Sequence, residues 1–402
     1  MTDRELEKLL QPILKRQEDI NDYVIDVIAK RVKQIGRLTP SDVYKLERIL
    51  KSGSDAKEIT KEIAKLTGVQ EKEIRKLIET VAKRAYLDAK PYYDYRGLSF
   101  IPFEENEPLQ RVVKAIAKQT SDSYVNLAKA QAFMIRDLKN PKKLKPTSLS
   151  KTYYSVVDEA IQAVQQGTID YNTAMRRTMT QLVDSGIRNV TYHPESGRVY
   201  TQRLDTAIRR NLQDGIRAIN QGVQDEVGRQ YGADGKEITV HAMSAPDHEP
   251  VQGHQFTNEQ YEKLQNEEAF QDLNGNKFSP IKRAIGTLNC KHFAYSIICG
   301  VSKPVFTQAQ LDEYIRKNQQ GYTLPNGKHL TLYECTQKQR SMETDIRKAK
   351  NMQMAFNASG DSEGEQKARA KVIELQKRYK SFSNACGISQ QKQRTVVAGY
   401  KK

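Results

Sequence analysis

The stretch "GTLNCKHFAYSIICG", residues 286–300, holds two of the chain's four cysteines and one of its six histidines. Cys290 and His292 stand two apart, and on an extended strand such residues project to the same face. Both could therefore hold one metal ion. Upstream, "ITVHAMSAPDHEPVQGHQF" supplies His241 on a β-prone run and His248 in the loop beyond it. The four residues His241, His248, Cys290 and His292 would make a tetrahedral Cys-His₃ set of borderline-soft donors, which suits zinc; no other cofactor is expected. Two other uses of the same residues stay open. The histidines could bond backbone groups in a small core while Cys290 packs as a small hydrophobe. Alternatively, Cys290 could serve as a nucleophile with a histidine base, which would need an orienting carboxylate such as Asp247 or Glu249. "HEPVQGH" does not match the zinc-protease helix motif, because that motif sets its histidines four apart, whereas His248 and His254 lie six apart across Pro250 and Gly253.

The elements that must position these residues emerge from apolar spacing. Over residues 190–332 the pattern predicts a compact α+β unit. It contains a hairpin at "VTYHPESGRVY", a long helix marked by Ile208, Leu212, Ile216, Ile219, Val223 and Val227, and a strand at "KEITVHAM". Before it, Leu6, Leu10, Ile13, Ile20, Val24 and Val27 recur at threes and fours and predict a long first helix. "LTPSDVYKLERILKSG" carries the start and stop signals of a short helix, Thr39 with Pro40 and then Gly53. "DAKEITKEIAKLTG" and "EKEIRKLIETVAKRAYLDA" predict two more, giving a helical bundle over 1–90. Residues 91–189 read as an aromatic loop with Tyr92, Tyr93, Tyr95, Phe100 and Phe103, a helix over about 108–138, a basic linker "KNPKKLKPTSLS", and two further helices. Residues 333–402 read as a helical hairpin around "SGDSEG". The fold class expected is mainly α with a smaller α+β domain.

Composition narrows the function classes. The chain has 402 residues, 38% hydrophobic and 28% charged, and a formal net charge of +16. That is enough sequence for two or three globular domains. The scattered cysteines and the absence of a secretory signal lead us to expect a reducing compartment with free or metal-bound thiols. No apolar run approaches the roughly 20 residues needed to span a bilayer. Residues 336–402 hold 15 Lys and Arg against 6 Asp and Glu, so the positive charge is concentrated there. Clustered cations favour a polyanion, because they release its counterions on binding. The candidate DNA contacts are Lys338, Arg340, Arg347, Lys348, Lys350, Lys377, Arg378 and Lys380.

Three motifs occur in order: "HAMSAPDHEPVQGHQF", "GTLNCKHFAYSIICGVSKP" and "YECTQKQRSMETDIRKAK". With the helical N-terminal region they make the chain similar to the tailed-phage minor capsid protein 2 group, akin to the Mu F-like minor head proteins. Val240 and Val251 stand where that pattern has tryptophan, and Ala245 where it has arginine. The resemblance implies a structural virion protein without chemistry of its own, made in the host cytoplasm and bound inside the head near the portal. It would assist head assembly, DNA packaging or genome delivery. The implied partners are the portal protein, the major capsid protein and packaged double-stranded DNA, with no membrane and no small-molecule substrate. The alternatives are a metal-dependent or cysteine hydrolase using His248, Cys290 and His292, and a nucleic-acid-binding protein outside virions.

Overall fold

A computed structural model describes residues 3–35, 54–129, 131–137, 140–148, 151–152, 171–193, 198–286, 290–397 and 399–400. The short helix expected at 39–53 and the first of the two helices expected before 188 lie outside them. The chain is mainly helical with small antiparallel sheets.

Helix α1 (Asp3–Ile35) presents the expected stripe, with Leu10, Ile13, Ile20 and Val24 buried. Helix α2 (Ser54–Leu87) is one continuous element where the sequence predicts two, because Gly68 lies within it without ending it. The fully buried Gln70 on α2 donates to the Ile13 carbonyl at 2.9 Å and fixes the two helices together. After α3 (Lys90–Arg96) and a single 3₁₀ turn comes α4 (Glu107–Lys129). Most of the aromatics between them are core: Tyr93 and Phe103 are buried, Phe100 stacks on Tyr86, and Tyr92 stacks on Tyr231. Tyr95 alone of the five is well exposed, at 61%.

The helix expected to run to 138 ends at Lys129, and "QAFMIRD" forms strand β1 (Gln131–Asp137) instead. It pairs with β2 (Asn140–Ser148), which occupies the segment that reads as a linker in the sequence. Pro141 and Pro146 fit there because β2 is an edge strand, whose missing amides break no central ladder. After α5 (Tyr171–Ser185), β3 (Arg188–His193) and β4 (Arg198–Arg203) form the expected hairpin and complete the order β2-β1-β3-β4.

Helix α6 (Leu204–Tyr231) carries the predicted stripe and ends on Gly232, whose φ of 74° is a left-handed cap. Its place differs from the expected α+β unit. Ile208, Leu212, Ile219, Val223 and Val227 join one apolar core with α1, α2, α4 and α5. Gly215 and Gly222 allow the approach of α4, since a Cβ at these positions would come within 2.5 Å of Thr120 and 2.9 Å of Ile116. The smaller module therefore begins at β5 (Gly235–Ile238), which pairs with β6 (Gln255–Thr257) and β9 (Ala294–Ile297). Helix α7 (Asn258–Gln265) and the short pair β7 (Phe270–Gln271) and β8 (Lys277–Phe278) close a separate core around Ile238, Phe256, Leu264 and Phe270. The module is seated on α6 where the Tyr231 hydroxyl donates to the Ser296 carbonyl at 2.6 Å and Ser296 Oγ donates to the Gln224 carbonyl at 2.7 Å.

Helix α8 (Gln308–Gln320) and the β10 (Tyr322–Thr323) and β11 (His329–Leu330) hairpin lead into α9 (Leu332–Ser359) and α10 (Ser362–Ala385). This is the helical hairpin expected, but it is built into the body. Ala355, Phe356 and Ala368 belong to the main core, and α9 packs on α1 and α5. Asp361 caps α10 by accepting from the Gly364 amide, and Arg176 of α5 grips the same carboxylate at 2.5 and 2.9 Å. The Arg176 guanidinium holds the Asp361 carboxyl below its usual range, ahead of the opposing effect of burial.

Candidate metal centre

Three of the four sequence-selected ligands come together. The turn-rich loop between β5 and β6 carries His248, and the segment entering β9 carries Cys290 and His292. Among the described residues their donor atoms form a group within 4.8 Å of one another. Cys290 Sγ lies 3.2 Å from His248 Nδ1 and 3.2 Å from His292 Nδ1. All three are buried, at 1% exposure for His248, 9% for Cys290 and 4% for His292.

The surroundings fix which nitrogen of each ring faces the sulfur. His248 Nε2 lies 2.9 Å from the Arg283 carbonyl, which only accepts, so this nitrogen carries the proton and Nδ1 presents a lone pair. Arg283 is itself anchored by a two-pronged ion pair to Asp247, at 2.6 and 2.8 Å. Gln252 performs the equivalent task for His292. Its Oε1 accepts from the His241 amide at 3.0 Å, which establishes that atom as oxygen, and His292 Nε2 approaches it at 3.3 Å. His292 Nε2 therefore donates, and its Nδ1 also offers a lone pair. Ser244 Oγ stands 3.5 Å from the same Nε2. The loop is held against α8 by Glu249, which accepts from Asn318 Nδ2 at 2.5 Å and from Gln319 Nε2 at 3.1 Å. Met243, at a φ of 60°, takes a backbone conformation costly for a side-chain-bearing residue, and it does so between His241 and Ser244.

Burial, with the neighbouring His241 and His248, pulls His292 down to about 2, so its ring is neutral. Burial opposes charge on Cys290 and His248 alike, yet their mutual hydrogen bond and attraction outweigh it, lowering the thiol and raising the imidazole. This pair also has the separation of a nucleophile and its base. Two neighbouring features count against that use: the sulfur is enclosed, and it is shared with a second imidazole. The cavity of about 570 Å³ between α6 and the module, with Asp225, Lys236, Tyr261 and Ser296 in its wall, includes none of the three residues.

His241 stands just outside the group. β5 ends at Ile238, before it, and its ring meets the His292 ring edge-on at 4.9 Å with Nε2 3.3 Å from Thr239 Oγ1. Arg283 carries no signal in the sequence because it acts through a backbone carbonyl, which every residue type possesses. His254 has a separate partner, Asp272, at 2.7 Å, and Asp272 also accepts from the Asn274 and Asn276 amides.

The candidate DNA contacts divide by exposure. Lys338, Arg340, Lys377, Arg378 and Lys380 are exposed. Lys348 is partly exposed. Lys350 is a correction: it is only 8% exposed, its Nζ donates to the Thr395 carbonyl and it lies over the Tyr400 ring at 5.1 Å. Arg347 likewise turns to the returning C-terminal segment, donating to the Arg394 carbonyl.

The family described as phage minor capsid protein 2 matches residues 1–384, nearly the whole chain, and the chain belongs to that family. It is a minor capsid protein, a structural component of a phage head, and the virion is its place of action. No curated protein and no solved structure matches it. Among the described residues no helix is long and apolar enough to cross a membrane.

Proposed function

We propose that the chain sits on the inner side of the head near the portal, with its helical body docked on portal or major capsid protein and its C-terminal hairpin facing packaged double-stranded DNA. In that position it assists head assembly, packaging or genome delivery without catalysing a reaction or binding a small-molecule substrate. The observation that supports this most is the distribution of charge on α10. Lys367, Arg369, Lys371, Lys377, Arg378 and Lys380 are all exposed, while the apolar side of the same helix, with Ala368, Val372 and Tyr379, is buried. Cations held on a rigid helix meet a phosphate backbone without giving up the conformational freedom that a flexible tail would lose on binding.

Deleting the hairpin would not test this, because α9 and α10 contribute to the main core. Point substitutions do. Arg369, Lys377 and Lys380, spaced eight and three residues apart, share one face of α10. Replacing all three with alanine in the full chain should weaken non-specific duplex binding. The slope of log affinity against log salt should flatten by about 0.9 for each phosphate that is no longer neutralised, so by up to about 2.7. An unchanged slope in a variant with unchanged thermal unfolding would reject DNA binding by this face.

A further inference from the structure

The cluster in the small module has more acceptors than protons. Both imidazoles have their Nε2 protons committed, to the Arg283 carbonyl and to Gln252 Oε1, and both turn Nδ1 to the same sulfur, so the thiol proton is the one proton for two Nδ1–sulfur contacts. A thiol has one proton and can satisfy only one of them. The other lone pair would then face sulfur at 3.2 Å with no hydrogen between, in a buried setting where an unsatisfied polar atom is destabilising. A cation among the three atoms removes the conflict, since it takes all three lone pairs at once and the thiol proton leaves to solvent.

We propose that His248 Nδ1, Cys290 Sγ and His292 Nδ1 bind a single zinc ion. One thiolate and two neutral imidazoles form a borderline-soft donor set, which suits zinc and disfavours calcium or magnesium, both of which require oxygen. Sulfur and nitrogen in a tetrahedral zinc site are about 3.5 Å apart, given bond lengths near 2.3 and 2.0–2.1 Å, so the observed 3.2 Å separations need open by only a few tenths of an ångström. The outer hydrogen bonds are those that metal-bound histidines use: the far ring nitrogen donates to a backbone carbonyl in one case and a side-chain carbonyl in the other. His241, whose Nε2 is turned to Thr239, supports Gln252 through its amide and is not itself a ligand. The ion would clamp the β5–β6 loop to the strand β9 segment, in a module whose own core holds, among the described residues, seven buried apolar side chains. A small core of that kind gains much of its stability from a metal clasp. This inference is independent of the position in the head, since it rests on the cluster alone.

The test uses the full-length chain purified without added metal or chelator. Elemental analysis should find about one zinc per chain. Exchange for cobalt(II) should give a thiolate-to-metal band in the near ultraviolet together with intense tetrahedral d–d bands. Chelation should lower the thermal midpoint and added zinc should restore it. Cys290→Ser should lose the metal and the near-ultraviolet band, whereas Cys299→Ser and His241→Ala should keep both. If Cys290→Ser does not fold, chelation and reconstitution of the unmodified chain give the answer. Metal-free protein that binds neither zinc nor cobalt, or whose thermal midpoint is indifferent to chelator, would overturn the proposal and leave a thiol–imidazole hydrogen-bond cluster. Loss of metal in His241→Ala would overturn the exclusion of His241 from the ligand set.

Discussion

Tyr86→Ala is expected to destabilise the helical body by about 4 kcal/mol, the scale for truncating a large aromatic in a closed core. The side chain is 0% exposed, its ring stacks on Phe100 at a centroid distance of 4.5 Å, and Tyr93 and Phe103 pack at 6.4 and 6.0 Å. Its hydroxyl donates to the Ile101 carbonyl at 2.7 Å and accepts from Asn106 Nδ2 at 3.3 Å. Alanine would leave a cavity among three rings and remove a partner from the buried Asn106 amide and from the Ile101 carbonyl. Tyr86→Phe separates the contributions: it retains the packing and should cost only about 1–2 kcal/mol for the missing hydrogen bonds. Urea unfolding of the two variants checks the order. Equal midpoint shifts would show that packing around Tyr86 contributes little.

Gly321→Ala should be nearly as damaging, for a backbone reason. Gly321 ends α8 at φ 43° and ψ −140°, a region that residues with a Cβ avoid. A methyl group there would lie 1.9 Å from the Leu330 carbonyl oxygen and 2.9 Å from Thr331 Cα, so the obstacle is main chain that cannot rotate away. Thr331 also caps α9 through its box with Glu334, so moving it loosens the start of that helix. The expected cost is about 3 kcal/mol or more. Gly232→Ala supplies the comparison. It too has positive φ, 74°, but open space around it, and should cost only about 1–2 kcal/mol. Indistinguishable melting of the two variants would contradict the backbone clash at Gly321.

How much of the fold and site is legible in the sequence depends on whether the signal is local. α1 and α6 follow from apolar residues at threes and fours, α9 and α10 from the polar glycine-rich turn "SGDSEG" between two helical runs, and the β3–β4 hairpin from two β-prone runs around Pro194 and Gly197. β1 reads as helix because Leu127, Ala128 and Ala130 carry the helical spacing up to its first residues, while its strand character comes from pairing with β2 and β3. The prolines of β2 mark either a linker or an edge strand, and only the neighbour decides. The apolar stripe of α6 announces burial without naming what covers it, which is why the sequence alone assigns α6 to the smaller unit. At the site, residue type and the i, i+2 spacing of Cys290 and His292 bring out three converging side chains, whereas the roles of Gln252 Oε1 and the Arg283 carbonyl depend on loop geometry. Lys350 shows the converse limit, since its type indicates the surface and its partner Thr395 lies 45 residues away.

The placement of the chain inside the head is tested most directly by protease treatment of purified, DNA-filled particles, with quantification of the chain against the portal before and after the heads are opened. An interior position predicts a fixed ratio to portal, full-length chain surviving protease while the heads are closed, and its digestion once they are opened and the DNA released. Absence of the chain from DNA-filled particles, or its digestion from closed ones, would contradict that position.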